Sequence, residues 1–481
     1  MPISAKPIKL SCLMRTLRLG FLLAILLAVI GGKPFEALAT DQSMDIVTRI
    51  ERGASWLVAQ AIEYGAGKYG FSSEVADSSE ARLYCEENAK VAWALSNYHK
   101  GFTSTRLDMW LKSAVEFVLD GQSATGDFHC YYDLKRREWI LSGSFHYWNA
   151  HIMAMLAQSA FLMRNHPKSE IESQFWDRVV QRINMCINSW VDVCMRPDGS
   201  WMFTYPDLER PRTEDAAMMV NALICVSGYE QKWGSRDRAE ALSTLAEKTF
   251  EWILLQQDMD QSSWGYGGFY DDDSRNVQTT LSNARTIFGV LAYWTFIGLT
   301  KPEIDYEPIR RRMIAWVDGF ALQMMDSYGG PGHGRTKDLV KSYPKRALTS
   351  AELTRDLAII WVDLGGPYYW SLAERSYHWL IGKNEMNLDM QQVNNTGVTR
   401  GGFYAGIENS TCIDKRSTTG ITAQCVEAML EAMSIDIPEF SSIRRSTLAM
   451  LVTIAATLMC KKRICRRVLK SAHTTSYLKP S

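Results

Sequence analysis

A disulfide framework, a metal signature and a charge bias are all missing from this sequence. No Cys-x-x-Cys pair and no His-Glu-x-x-His occurs, so the strong zinc-binding patterns are absent. Ten cysteines include Cys12 near the start and Cys460 and Cys465 near the end, which leaves Cys85, Cys130, Cys186, Cys194, Cys225, Cys412 and Cys425 between them. Seven is odd, so at least one is unpaired and disulfides do not hold the chain together. The 53 basic side chains equal the 53 acidic ones, which gives no electrostatic reason to expect a nucleic-acid partner. Pro/Gly/Ser-rich linkers and low-complexity stretches are missing too, which favours one large domain over several. No motif calls for a cofactor.

Long apolar runs are also scarce, and the two that stand out are short and lie near the ends. Leu19 to Ile30 follows Lys6, Lys9, Arg15 and Arg18 and precedes Ala37-Leu38-Ala39. That order of charged region, apolar region and small-residue cleavage site predicts a secretory signal over residues 1–39, with a retained anchor as the alternative because Lys33 precedes the cut. Thr447 to Cys460 is apolar between Arg444-Arg445 and the basic cluster Lys461, Lys462, Arg463, Arg466 and Arg467, the heavier of which stays cytoplasmic by the positive-inside rule. Just ahead stands Pro438-Glu439-Phe440. The tripeptide, apolar stretch and basic end resemble the PEF-CTERM sorting signal of exported archaeal proteins. The resemblance implies that residues 437–481 are a sorting or transmembrane tail and that the protein sits at the cell surface, its partner the membrane through both ends. The sequons at Asn394 and Asn409 agree with export.

Between the ends the chain repeats. The aromatics Trp56, Phe117, Trp190, Trp252, Trp316 and Trp379 recur at a near-constant spacing, each near the end of an amphipathic helix. A Gly-rich loop follows each, as in Pro197-Asp-Gly-Ser-Trp201, Ser262-Ser-Trp-Gly-Tyr-Gly-Gly-Phe269 and Gly329-Gly-Pro-Gly-His-Gly334. Second helices follow, apolar nearly all round, over 88–98, 149–163, 215–226, 281–294, 351–362 and 421–433. Thr349-Ser350-Ala351-Glu352 reads as a capping box opening the fifth of them. Six helix pairs with almost no strand signal bury their apolar faces by closing on themselves, which predicts an (α/α)6 toroid over residues 45–436.

Trp252-Ile-Leu-Leu-Gln256, Ser263-Trp264-Gly265-Tyr266-Gly267-Gly268 and Asn276-Val-Gln-Thr-Thr280 resemble the repeat of terpenoid cyclases and protein prenyltransferases, as does Pro197-Asp-Gly-Ser-Trp201. The resemblance covers two of the six units and implies a toroid. The acidic motif by which such cyclases protonate an alkene has no counterpart, since Asp271-Asp272-Asp273 falls in a loop. The zinc set of lanthionine cyclases and the complement thioester are also missing. Toroids of this kind serve glycoside hydrolases, polysaccharide lyases and epimerases as well, and an exported location favours a glycan or another extended ligand in the funnel.

Four places carry candidate chemistry. Asp127 and His129 in Gly126-Asp-Phe-His-Cys-Tyr-Tyr-Asp133, with His146, Trp148 and His151 in the following stretch, form a dense group able to share acid and base work. Glu214 and Asp215 open an inner helix and, paired with Asp198 or Asp271, supply the two carboxyls of glycoside hydrolysis. Glu86 opens the first inner helix in the same way. His333 and Arg335, with Arg400 in the matching later loop, could clamp a carboxylate sugar. Trp201, Trp264 and Tyr266 are candidate stacking platforms, although aromatics at helical spacing ordinarily pack a core. The expectation is an exported enzyme acting on glycan. The alternatives are a non-catalytic surface protein that binds glycan or builds the envelope, and a terpenoid-cyclase-like enzyme.

Overall fold

A computed structural model of the chain describes residues 35–436, apart from 73–81, 142–146, 165, 204–209, 302–303, 337–342, 393–400 and 410–411. Residues 1–48 and 49–481 are two compact units, and the helical hairpins belong to the second. His146, Arg400, Asn394, both terminal apolar runs and Pro438-Glu439-Phe440 lie outside the described residues.

Outer helices are α1 (Phe35–Ala59), α3 (Asp108–Asp120), α5 (Ser173–Cys194), α7 (Arg236–Leu255), α9 (Glu307–Trp316) and α11 (Pro367–Leu380). Helix α9 continues through a π-helical turn, Val317–Ala321, to Leu322–Met324. Inner helices are α2 (Cys85–Phe102), α4 (Trp148–Met163), α6 (Thr213–Trp233), α8 (Thr280–Thr300), α10 (Ala347–Leu364) and α12 (Thr419–Asp436). Each inner helix packs on the next in cyclic order, and α12 packs back on α2. The ring is therefore closed, an (α/α)6 toroid.

Composition explains the layering. Helix α5 buries Phe175, Trp176, Val179, Val180, Ile183, Cys186, Ile187 and Trp190, a stripe at three- and four-residue spacing that leaves its other face to water. Inner helices have neighbours on all sides, and α8 buries Ala284, Ile287, Phe288, Val290, Leu291 and Tyr293 around most of its circumference. The six periodic aromatics Trp56, Phe117, Trp190, Trp252, Trp316 and Trp379 are all buried. Each marks the inward face of an outer helix.

A joint recurs at the Gly-rich loops. The backbone N–H of Phe71, Phe128 and Phe269 donates to the side-chain oxygen of Asn88, Asn149 and Asn283, each in the first turn of the following inner helix. The loop aromatic is buried and its polar backbone is satisfied by the helix it introduces. Loop glycines press on the next outer helix: Gly267, at φ +82°, sits against the carbonyl of Ala315. Gly401, at φ +101°, would place a Cβ 2.7 Å from the carbonyl oxygen of Arg52, so the last loop locks onto the first helix and seals the ring.

Connections leading from an outer to an inner helix are long, and those on the opposite end are short, as in Gly365–Gly366 between α10 and α11. Short strands knit the long loops together. β3 (Arg82–Tyr84) pairs with β4 (Tyr131–Asp133), which pairs with β5 (Glu138–Ile140). β6 (Val277–Thr279) pairs with β7 (Gly334–Thr336), and β8 (Lys345–Arg346) with β9 (Gly406–Asn409), which pairs with β10 (Cys412–Asp414). β1 (Ala61–Gly65) and β2 (Lys68–Phe71) form a hairpin of their own. All are antiparallel ribbons of two to five residues, too short to leave the period-2 pattern that sequence reading needs.

Two expectations change. Helix α10 begins at Ala347, so Thr349 and Glu352 lie inside it and form no capping box. All seven central cysteines are free thiols, where the odd count required only one. Among the described residues no helix is long and apolar enough to cross a membrane.

Candidate functional site

The first three turns of the inner helices carry charged side chains into the middle of the ring. On α4 the only titratable residue is His151, and on α8 the only charged one is Arg285. His151 lies between two acids: Nδ1 is 3.3 Å from Glu86 Oε1 on α2, and Nε2 is 3.3 Å from Asp215 Oδ1 on α6. Lys90, one turn below Glu86, binds it at 2.8 Å. Arg212 contacts Glu214 and lies 3.9 Å from Asp215 Oδ2. Arg285 joins Glu214 of α6, at 3.2 Å, to Glu352 of α10, at 3.4 Å. Deeper still, Arg355 binds Asp356 at 2.8 Å and approaches Glu427 of α12 to 3.9 Å. Thr419 of α12 donates to Glu87 of α2 at 3.0 Å and completes the circuit. Every inner helix contributes.

Below this ring lies a floor. Trp93 and Phe288 come from α2 and α8, three places apart in the cycle and so opposed, yet their rings are 5.7 Å apart. The Arg355 guanidinium lies 3.8 Å from the Phe288 centroid and 5.6 Å from that of Trp93. Glu86 is the second residue of its helix and Trp93 the ninth, so at about 1.5 Å per residue the charged zone is about 10 Å deep.

Carboxylate oxygens only accept, and a neutral imidazole has only one N–H. A neutral His151 can therefore donate to only one of Glu86 and Asp215 at a time. Burial pushes the Glu86 carboxyl up, but Lys90, the His151 hydrogen bond and Arg285 outweigh it and hold Glu86 well below the usual range. Three other acids go the opposite way. Burial raises Asp271 to about 6 against its hydrogen bonds from Thr279 and the charge of Arg212. Burial raises Asp356 to about 7 despite Arg355, and lifts Glu427 well above the ordinary range. One site thus combines a firmly ionised carboxylate with acids that keep their protons, the split that acid–base catalysis uses.

The structure sorts the candidates read from sequence. Glu86, His151, Glu214 and Asp215 meet in the ring, and His151 belongs to the charged string rather than to a stacking or ligand-clamping set. Asp271 stands at the mouth: its carbonyl accepts from Thr213 N and its Oδ1 from Thr279 N. Trp148 and Tyr147 open α4 beside His151, with Tyr147 edge-on to it at 6.1 Å and under Arg212 at 5.3 Å. His333 is exposed at the start of α8, where its carbonyl receives Thr280 N.

The remaining candidates do other work. Asp127 is buried and accepts from Trp190 Nε1, so it fixes a hairpin corner rather than facing ligand. Asp198 is taken up by Ser200 in its own turn and joins no acid pair. Arg335 is buried, and its guanidinium spends four of its five N–H groups on Gln278, Gly319 O, Gln323 and Tyr266 O, which leaves no pair to clamp a carboxylate sugar bidentately. Trp201 is buried against Phe203 and donates to Thr249. Trp264 packs edge-on to Tyr270, and Tyr266 holds Arg335 through its carbonyl. His129 lies half-buried 6.0 Å from Trp139, and burial pushes its pKa down. Lys90, Arg212, Arg285, Glu352, Arg355, Asp356 and Glu427 were missed. For Arg285 the signal is in the sequence, a single charge in the early turns of an otherwise apolar helix.

No family model matches the sequence, and no curated protein matches it. Solved structures do match in fold. Cellobiose 2-epimerase from Spirochaeta thermophila DSM 6192 superposes with a TM-score of 0.62 at 10% identity, over 83% of this chain and 99% of that one. A D-mannose isomerase gives 0.61 at 10% identity, over 81% and 97%. An unsaturated glucuronyl hydrolase specific for heparin gives 0.52 at 11% identity, over 80% and 96%. The likeness is one of fold, and it supports the toroid without the terpenoid-cyclase kinship that the repeat resembles.

Proposed function

We propose that the protein is a carbohydrate-active enzyme that performs general acid–base chemistry on a saccharide in the funnel at the long-loop end, of hydrolase, lyase or epimerase type. The Glu86–His151–Asp215 string carries this reading, because it sets an imidazole between two carboxyl groups, one of which has a second oxygen, Asp215 Oδ2, that accepts no hydrogen bond. The toroids of matching fold act, by their names, on cellobiose, mannose and unsaturated glucuronides, and each of those conversions needs a proton given and a proton taken. Asp215 is assigned to exchange a proton with substrate, His151 and Glu86 to hold and return it, and Asp271 to act as a second acid at the mouth. Lys90 and Arg285 keep Glu86 ionised.

The test is a screen of the purified chain against neutral and acidic oligosaccharides, followed by Asp215→Asn, Glu86→Gln and, as a control, Asp198→Asn. Loss of kcat/KM by about 10²–10⁴ in the first two, with the control unchanged, supports the assignment. Equal turnover in Asp215→Asn and the parent overturns it. Binding of glycan without any turnover would favour the non-catalytic surface protein.

Export and anchoring belong to the same proposal on sequence grounds: the basic and apolar order of residues 1–39, and Pro438-Glu439-Phe440 ahead of an apolar run and a basic end. N-terminal sequencing of the mature protein is expected to begin just after Ala39, and an N-terminus at Met1 or Pro2 would contradict cleavage.

A further inference from the structure

Over its upper turns the ring is short of positive charge. Over the first two turns of the inner helices, Glu86, Glu87, Glu214, Asp215 and Glu352 face Lys90, Arg212 and Arg285, five acids against three permanent cations, with His151 shared. One turn deeper Asp356 and Glu427 share the single Arg355. Three carboxyl oxygens in this zone receive no hydrogen bond: Asp215 Oδ2, Glu352 Oε2 and Asp356 Oδ2. Their side chains are 1%, 5% and 0% exposed. Glu352 and Asp356 are four residues apart and share one face of α10, and Arg285 ties that face to α6, where Asp215 stands.

A buried acceptor without a donor is costly, and a buried charge without a partner more so. The missing complement therefore brings several N–H or O–H groups together with positive charge. A sugar hydroxyl offers one donor and no charge, and a uronate adds another carboxylate to a zone already rich in them. A protonated amine offers three donors and a full charge. Building on the saccharide reading above, we infer that the funnel takes a sugar bearing a free amine, a hexosamine unit whose ammonium is received by Asp215 and Glu352.

Protons stand in for the absent cation while the site is empty. Asp356 and Glu427 keep theirs toward neutral pH because burial raises both. An incoming ammonium removes the need for them, so binding near pH 7 releases protons. The groups that set this balance are Glu86, Glu87, Lys90, His151, Arg212, Glu214, Asp215, Arg285, Glu352, Arg355, Asp356, Glu427 and Glu431, one or more from every inner helix.

The experiment is titration calorimetry of the full chain at pH 7, in two buffers of different ionisation heat, with four tetrasaccharides: glucosamine, N-acetylglucosamine, glucose and galacturonate. The glucosamine tetramer is expected to bind at least tenfold tighter than the acetylated and neutral ones, with a heat that differs between the buffers as proton release requires. Glu352→Gln, with its fold checked by circular dichroism, is expected to lose that preference, and Asp198→Asn to keep it. Equal or tighter binding of the neutral or uronate tetramer overturns the amine and leaves the saccharide reading standing. Failure of all four tetramers to bind overturns both.

Discussion

At residue scale the lone charges in apolar helices are the informative ones. His151 and Arg285 each stand alone on their helices, and each turns out to bridge two neighbouring helices through acids. The acids opening α2 and α6 were legible because a helix start is where carboxylates gather, although the helix dipole favours them there with or without a function. What decides between the two is the partner across the ring, and no sequence pattern displays it. Asp356 gives a pH prediction. Folded, it holds its proton to about pH 7, whereas in an unfolded chain it releases it at about pH 4. Between those values the folded state binds more protons, so stability falls as pH rises, and Glu427 acts in the same direction. The thermal midpoint is expected to fall from pH 4 to pH 7 less steeply in Asp356→Asn than in the parent, and identical slopes would show that Asp356 does not hold the proton. Glu86 opposes this at the acid end, where its stabilisation is lost as pH falls below the usual glutamate range.

At the scale of single elements, the period of buried aromatics made the hairpins legible, and the loops between them were rightly read as corners. The mistaken candidates came from those same loops. Asp127, Trp201 and Arg335 have the chemistry of a site, but their polar atoms are spent on Trp190, Thr249 and a set of carbonyls. A polar group near a buried aromatic in a tight connection must satisfy the connection first. Asn283 shows how much rests on this. It accepts from Phe269 N at 2.7 Å and donates to Phe269 O and Thr279 O at 2.8 and 2.9 Å. Asn283→Ala is expected to lower stability by about 2–3 kcal/mol in urea unfolding, because it strands the buried Phe269 N–H. A loss within about 0.5 kcal/mol of zero would show that the joint is not structural.

For the helical unit as a whole, closure is the property that makes a funnel. Six units at a constant period predicted it, and contact between α12 and α2, together with Gly401 on Arg52, completes it. Gly401 and Gly67 both adopt positive φ, at +101° and +71°, but Gly67 has nothing within 4 Å of where a Cβ would lie. Gly67→Ala is expected to cost about 1 kcal/mol for its backbone alone, and Gly401→Ala clearly more, because its methyl meets the first outer helix. Equal costs in thermal unfolding would separate ring closure from that contact. Trp93, Phe288 and Arg355 meet across the middle of the closed ring, below the charged residues. A saccharide bound inside the ring, as proposed, is open to a crystal structure of the protein soaked with oligosaccharide, in which sugar donors are expected within hydrogen-bond distance of Asp215 Oδ2 and Glu352 Oε2, above Trp93. A saccharide seated on the outer helices, with no sugar inside the ring, would contradict it.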